Sequence, residues 1–474
     1  MMSGKWKLAL LIVLGVALIG VGLVGVYMDD FPWSNTDNVV DGDSRMLPIP
    51  VLLVDENEDE NIADYNIVAQ QGQTSFFNNV STPTLGYNGS FLGPVIKVRR
   101  GQLVNMHVQN DLAEDTSVHW HGLEVGGTSD GGPHQVIRPG TVWQPSFVVD
   151  QPAATLWFHP HVIGSTAIQV YEGLAGLLIV EDEHSDRLNI PKDYGVNDIP
   201  LIIQDRSFNR DGSFDYSSNM MDGVLGDTIL VNGAITPTLK VDQINMRFRL
   251  VNGANARNFN IELSNRGEFY QIASDGGFLE KPVKSQRLFL SPGERAEIIV
   301  DFSAYNEGDV IVLTSGNIRI MTFVVGKKRV DTTEIPETLV EVATLDVSKV
   351  TAIKTIELNG MGHMVSLNGK QFDIHRIDDN VSLGAIEIWE ITTLRTMMGG
   401  MGHPFHIHGT QFQVLSRNGK KPSEKERGFK DTVFVGAGET VRIIVQFKHK
   451  GIYMYHCHIL EHEEAGMMGQ LEVE

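Results

Sequence analysis

A chain of 474 residues, 42% hydrophobic and 20% charged, has the make-up of a globular protein with length for about three domains that each bury a core. Its net charge of −21 argues against nucleic acid as a partner and is accounted for by solubility. The single cysteine, Cys457, excludes an intramolecular disulfide framework, so the compartment must be read from the N-terminus.

Lys5 and Lys7 precede Leu8–Val26, an uncharged 19-residue run followed by Asp29 and Asp30. Such a run is long enough to cross a bilayer, and the lysines favour a cytoplasmic N-terminus. It exceeds a signal h-region and no A-x-A-like site follows, so residues 1–30 are read as an uncleaved anchor, with secretion after signal cleavage as the alternative. A lipoprotein cysteine and a twin arginine are both absent from this segment. Everything after residue 30 is then expected outside the cytoplasmic membrane. Residues 31–45 are polar and turn-rich, a tether, and the acidic run Asp55–Asn61 is expected to be a solvated loop.

Short β-type runs then alternate with Gly, Pro, Asn and Asp, as in RFRLVNG (247–253) and VRIIVQF (441–447), and no long helical periodicity competes. That pattern predicts an all-β protein of sandwich domains. An internal repeat sharpens the count: GERAEIIVDF (293–302) matches GETVRIIVQF (438–447), and a weaker relative begins at Gly140. The first and last copies are followed by His159-Pro-His161 and His456-Cys-His458. The middle copy is followed by VIVLTSG (310–316), and no histidine occurs between residues 185 and 362. The expectation is three homologous sandwiches, 46–184, 196–327 and 350–474, with the outer two binding metal and the middle one a spacer. Linkers are expected at Glu183–Asn197 and Gly326–Val350.

Cys457 lies in YHCHILEHEEAGMM (455–468). In a strand, adjacent side chains point to opposite faces, so Cys457 would face one way and both His456 and His458 the other. One short peptide can then serve two metal sites and join them through bonds. A thiolate, two histidines and a methionine form the ligand set of a blue-copper site, and Cys457, His462 and Met467 are three of those four. The outer thirds also carry four H-x-H pairs: His119/His121, His159/His161, His406/His408 and His456/His458. Random placement of 16 histidines yields roughly half of one such pair, which decides against accident. Residues i and i+2 share a strand face, so each pair aims two imidazoles at one region. Pro160 inside the second pair marks an edge strand or an irregular end. Zinc is the competing metal, but it takes about four ligands per site, and eleven His/Cys candidates exceed any single zinc centre.

HWHG (119–122), WFHPH (157–161), HPFHIHG (403–409) and HCHILEHEEAGMM (456–468) resemble the four copper-binding motifs of multicopper oxidases, with the bacterial laccases and copper-efflux oxidases the nearest in pattern. The resemblance runs from about residue 46 to the C-terminus. It implies three cupredoxin-like Greek-key β-sandwich domains and four copper ions: one type 1, one type 2 and two type 3. It further implies that His403, Cys457 and His462 hold the type 1 copper, with Met467 as weak axial ligand and Met468 the adjacent alternative. His119 and His406 would hold the type 2 copper, His121, His159 and His458 one type 3 copper, and His161, His408 and His456 the other.

The implied reaction is one-electron oxidation of a reductant at the type 1 copper, coupled to four-electron reduction of O2 to water at a trinuclear cluster. Water formation consumes protons, and two acids stand where the family places proton-handling groups: Asp130 and Glu463. Either can instead orient a ligand imidazole. Glu461 and Glu464 are expected to be solvated. Met397, Met398 and Met401 lie just before His403, with Met361, His363 and Met364 further upstream, and thioethers suit Cu(I), which keeps a cuprous-oxidase role as the alternative. Methionines also fill irregular apolar gaps. The chain lacks a long Met-rich insert and has GGMG (399–402) where an acid would help hold an extra copper. The favoured reading is therefore a laccase-type enzyme with an open type 1 pocket for phenols or aromatic amines. A non-enzymatic cupredoxin-fold interaction protein is the third reading, opposed by the filled ligand positions. No oligomer is required, and a monomer is expected.

Overall fold

The computed structural model describes residues 45–217, 221–394 and 400–474. The expected membrane run 8–26 lies outside them. Among the described residues no helix is long and apolar enough to cross a membrane.

Strands dominate, and they form six sheets that pair into three β-sandwiches around three main cores. Alternation builds the first one: along Ile62–Thr74, Ala63, Tyr65, Ile67 and Ala69 are buried while the residues between them are less so. Each sandwich contains two parallel strand pairs in corresponding places. Ile62–Thr74 runs parallel to Leu103–Asn110, Asp198–Arg206 to Asn245–Asn252, and Val350–Met361 to Ile386–Thr393. In the facing sheets Val95–Arg99 runs parallel to Gly176–Glu181, Thr238–Gln243 to Ile318–Lys328, and Asp379–Val381 to Met468–Val473. The repeat seen in sequence is thus a repeat of topology.

The strand Asn245–Asn252 shows what joins the sandwiches. Its alternate residues Met246, Phe248 and Leu250 enter the middle core. Arg247 and Arg249 point the other way, yet not to water: both are buried. Arg249 bonds Asp198 at 2.7 Å and Thr155 Oγ1 at 2.9 Å, and Arg247 bonds Glu297 at 2.5 Å. Thr155 belongs to Ala154–His159, so this ion-paired seam lies directly behind a histidine-bearing strand. Removing one partner of such a buried pair strands a charge at a cost of about 3–5 kcal/mol.

Pro160 sits just past the end of Ala154–His159, which lies inside its sheet between Gly176–Glu181 and His119–His121. It therefore marks a strand end and not a sheet edge. The expected linker from residue 183 begins with a short helix, Glu183–Arg187, N-capped by Asp182.

Candidate metal centre

Strand pairing assembles the ligands two motifs at a time. His119–His121 pairs antiparallel with Ala154–His159, setting His119 opposite His159, and His403–Ile407 pairs with Gly451–Cys457, setting His406 opposite His456. The first and third sandwiches bring these strand ends together. All eight H-x-H histidines are buried, with exposures no greater than 1%. Their nitrogens fall into the groups His119/His121/His406, His121/His159/His458 and His161/His408/His456.

The hydrogen bonds show what the groups fit. Six rings give one nitrogen to an oxygen acceptor. His119, His159, His406 and His456 donate from Nδ1 to the backbone carbonyls of Asp130, Pro160, Asp431 and Cys457 at 3.0, 2.8, 2.9 and 2.9 Å. His408 donates from Nδ1 to Asp130 Oδ2 at 2.8 Å, and His121 from Nε2 to Asp431 Oδ1 at 2.9 Å. A ring whose outer nitrogen carries the proton presents a lone pair inward. His408 and His456 Nε2 face each other at 3.1 Å, His121 Nδ1 and His159 Nε2 at 3.4 Å, and His406 and His119 Nε2 at 3.4 Å. These are lone pairs with no proton between them, and neither nitrogen of His458 has a hydrogen-bond partner among the described residues. Convergent buried lone pairs are the signature of a cation site. Burial holds His121, His159, His161, His406, His408 and His458 well below the usual imidazole pKa and takes His456 down to about 3, so the rings are neutral, as metal ligation requires.

A second centre lies on the other face of the same strand. Cys457 Sγ is 3.5 Å from His403 Nδ1 and 3.9 Å from His462 Nδ1. The short helix Leu460–Glu464 turns the chain so that His462 returns to the thiol five residues on. Burial pushes the Cys457 thiol up and lowers His403 to about 3 and His462 to about 4, so a thiolate here needs a positive partner. The Ile459 N–H, 3.4 Å from the sulfur, supplies part of that. Register separates the two methionines. Met468 stands opposite His456 in the antiparallel pair and shares its face. Met467 falls on the Cys457 side, and Cys457 and Met467 share one buried core.

His403 and His462 are buried, and the Met221 carbonyl of the middle sandwich lies 3.4 Å from His462 Nε2. Among the methionines expected nearby, Met401 packs against the third core while Met364 is 80% exposed; Met397 and Met398 lie outside the described residues.

The acids sort by burial. Asp130 Oδ1 is buried without a partner, while Oδ2 holds His408. Glu463 lies 3.5 Å from His161 Nε2 and 3.2 Å from His456 Nδ1. The latter is an approach without hydrogen-bond geometry, because that nitrogen already donates to the Cys457 carbonyl. Burial raises the Glu463 carboxyl well above the usual range. Glu461 and Glu464, expected in solvent, are not there. Glu461 is buried and accepts from Tyr216, Asn255 and the Val224 N–H. Glu464 accepts from the Gly164 and Ala167 N–H groups. Both fasten the ligand-bearing helix to neighbouring sandwiches.

The strongest omission of the sequence reading is Asp431, which touches His121 through its carboxylate and His406 through its carbonyl. Arg295 of the middle sandwich grips that carboxylate at 2.6 and 2.5 Å. Neither stands in a histidine motif, and a spacer domain offered no reason to look.

Three family models, each described as multicopper oxidase, match residues 68–185, 182–328 and 342–474. The chain belongs to the multicopper oxidase family. It is 44% identical to the multicopper oxidase mco of Staphylococcus aureus over 427 residues, covering 90% of this chain and 92% of that one. It is similar in structure to a laccase from Pediococcus acidilactici, with TM-score 0.89 and 41% identity over 92% of this chain and 94% of that one. The cell division protein FtsP of Xenorhabdus nematophila is 35% identical over 450 residues, covering 90% of this chain and 92% of the relative. The oxidase is an O2-reducing oxidoreductase, and its histidine clusters are consistent with the type 1 and trinuclear copper sites of a multicopper oxidase.

Proposed function

We propose that this oxidase is laccase-type: it oxidises phenols or aromatic amines by single electrons and passes them to O2. In this reading His403, Cys457, His462 and Met467 hold the type 1 copper. His119 and His406 hold the type 2 copper, while His121, His159 and His458, and His161, His408 and His456, hold the two type 3 ions. Copper at these positions supplies one-electron acceptance from the reductant and four-electron delivery to O2.

The observation that carries the reading is the placement of Cys457, whose sulfur faces His403 and His462 while its neighbours His456 and His458 face the eight-histidine cluster. A few covalent bonds of one peptide link the two centres. Burial of both centres keeps water from the rings and keeps the imidazoles neutral. Glu463 holds a proton on its carboxyl beside His161 and His456, where water formation needs one. Asp130 orients His408 through Oδ2 and His119 through its carbonyl. The laccase assignment draws on the glycines of GGMG, on the separation of Met364 from the third core, and on likeness to a protein described as a laccase. We further propose that residues 8–26 anchor the enzyme outside the cytoplasmic membrane as a monomer; the uncharged run supports this.

A cuprous-oxidase reading is favoured by one observation, the Met221 carbonyl lying over His462, which narrows the approach for a bulky arene. Oxygen uptake by one copper-loaded preparation with a phenol, an aromatic amine and Cu(I) separates the two. Turnover with Cu(I) alone would overturn the laccase assignment.

A further inference from the structure

Arg295 belongs to the middle copy of the internal repeat, GERAEIIVDF, the copy followed by no metal ligand. We propose that Arg295 is a positioning residue for the trinuclear cluster, acting through Asp431 to set the ring of His121 and thereby making the ligand-free middle domain part of the metal site. The inference rests on the assignment of His121 to the cluster.

The Asp431 carboxylate is the hub. Its Oδ1 accepts from His121 Nε2 at 2.9 Å, Thr432 Oγ1 at 2.9 Å and Arg295 Nη1 at 2.6 Å. Its Oδ2 accepts from Arg295 Nη2 at 2.5 Å and Gln411 Nε2 at 2.9 Å. A carboxylate gripped on both oxygens by a planar fork cannot rotate. That matters because His121 is turned opposite to its neighbours. His119, His159, His406, His408 and His456 give Nδ1 to an outer oxygen, whereas His121 gives Nε2 and presents Nδ1 inward towards His159. The bond to one ring nitrogen decides which nitrogen is left for metal, so the fixed Oδ1 selects the His121 tautomer.

The surroundings leave room for this pair and for little else. A Cβ on Gly122, the glycine of HWHG, would come 2.5 Å from Asp431 Oδ2 and 2.6 Å from Arg295 Nη2. A Cβ on Gly293, two residues before Arg295, would come 2.9 Å from the His458 ring. The remaining guanidinium bonds go to the carbonyls of Thr155, Gly293 and Asp275 at 3.1, 3.0 and 3.1 Å, so the fork is held in place from all sides. Lysine would keep the charge but could not span both carboxylate oxygens.

The test uses the full-length, copper-loaded protein with Arg295→Lys and Asp431→Asn. Copper per chain is measured against a competing chelator, and the blue thiolate absorption of the type 1 site serves as the internal measure of folding. The expected result for both variants is trinuclear copper held about 10–100-fold more weakly, with blue absorption per chain retained. Copper retention equal to the parent in Arg295→Lys overturns the proposal. Parallel loss of blue absorption and cluster copper overturns it too, since that marks a general fastener between domains. A His121→Ala control that keeps all its copper would instead overturn the assignment of His121 on which the proposal stands.

Discussion

Asp130 links the two ligand-bearing domains, and its replacement separates an orienting role from a proton-handling one. Its carbonyl takes the His119 proton at 3.0 Å, its Oδ2 takes the His408 proton at 2.8 Å, and its Oδ1 is buried with no partner. In Asp130→Ala the carbonyl remains but the His408 N–H is left buried and unpaired. Such a group costs about 1–3 kcal/mol, which at about 1.4 kcal/mol per decade amounts to roughly 5–150-fold in copper retention. That range brackets the usual effect of losing an outer-sphere partner, about 10–100-fold. In Asp130→Asn the amide oxygen can stay on His408 while the NH2 takes the place where Oδ1 has no bond, so copper retention is expected within about tenfold of the parent. Chelator titration with copper quantified per chain makes the comparison. Parent-like copper retention in Asp130→Ala would refute the orienting role, and equal weakening in both variants would refute the reasoning from the unpartnered oxygen. Oxygen uptake by Asp130→Asn then assigns the rest. A drop of about 10²–10⁴-fold at full copper content places a proton on this carboxyl, whereas recovery together with copper leaves orientation as its whole role.

Cys457→Ser removes the thiolate between His403 and His462 without touching the cluster side of the strand, so blue colour and oxidase activity are expected to vanish while cluster copper stays; persistent blue absorption would contradict the central assignment. Glu463→Gln keeps the shape beside His161 and His456 but cannot cycle a proton, so oxygen uptake should fall about 10²–10⁴-fold at unchanged copper content, and unchanged uptake would exclude a proton role. Gly122→Ala adds a Cβ at φ +91° into the Asp431–Arg295 pair. The backbone term of about 1–2 kcal/mol and the overpacking term of about 1–3 kcal/mol together predict about 2–5 kcal/mol lost in denaturant unfolding of the metal-free protein. A loss below about 0.5 kcal/mol, the scale of an ordinary surface change, would show that the pair shifts freely.

The local chemistry of this protein was legible in the sequence. Short β-type runs broken by turn residues marked strands such as Asn245–Asn252, the repeat marked three related domains, and four H-x-H pairs with a Cys-centred motif named the residues that the structure brings together. Those signals are short-range: strand faces and ligand spacing depend on neighbours within a few residues. Register, burial and cross-domain contacts do not. Glu461 and Glu464 look solvated in a run of acids, and only packing against Tyr216, Asn255 and the 164–167 turn buries or engages them. Met467 and Met468 are equivalent as letters, and only the pairing of His456 with Met468 puts them on opposite faces. Asp431 and Arg295 meet across 136 residues, in a contact that no periodicity encodes. The sequence determined which groups can gather as metal ligands; the tertiary structure alone decided which residues hold those groups still, because a buried imidazole takes its orientation from whatever oxygen the neighbouring domain sets against it.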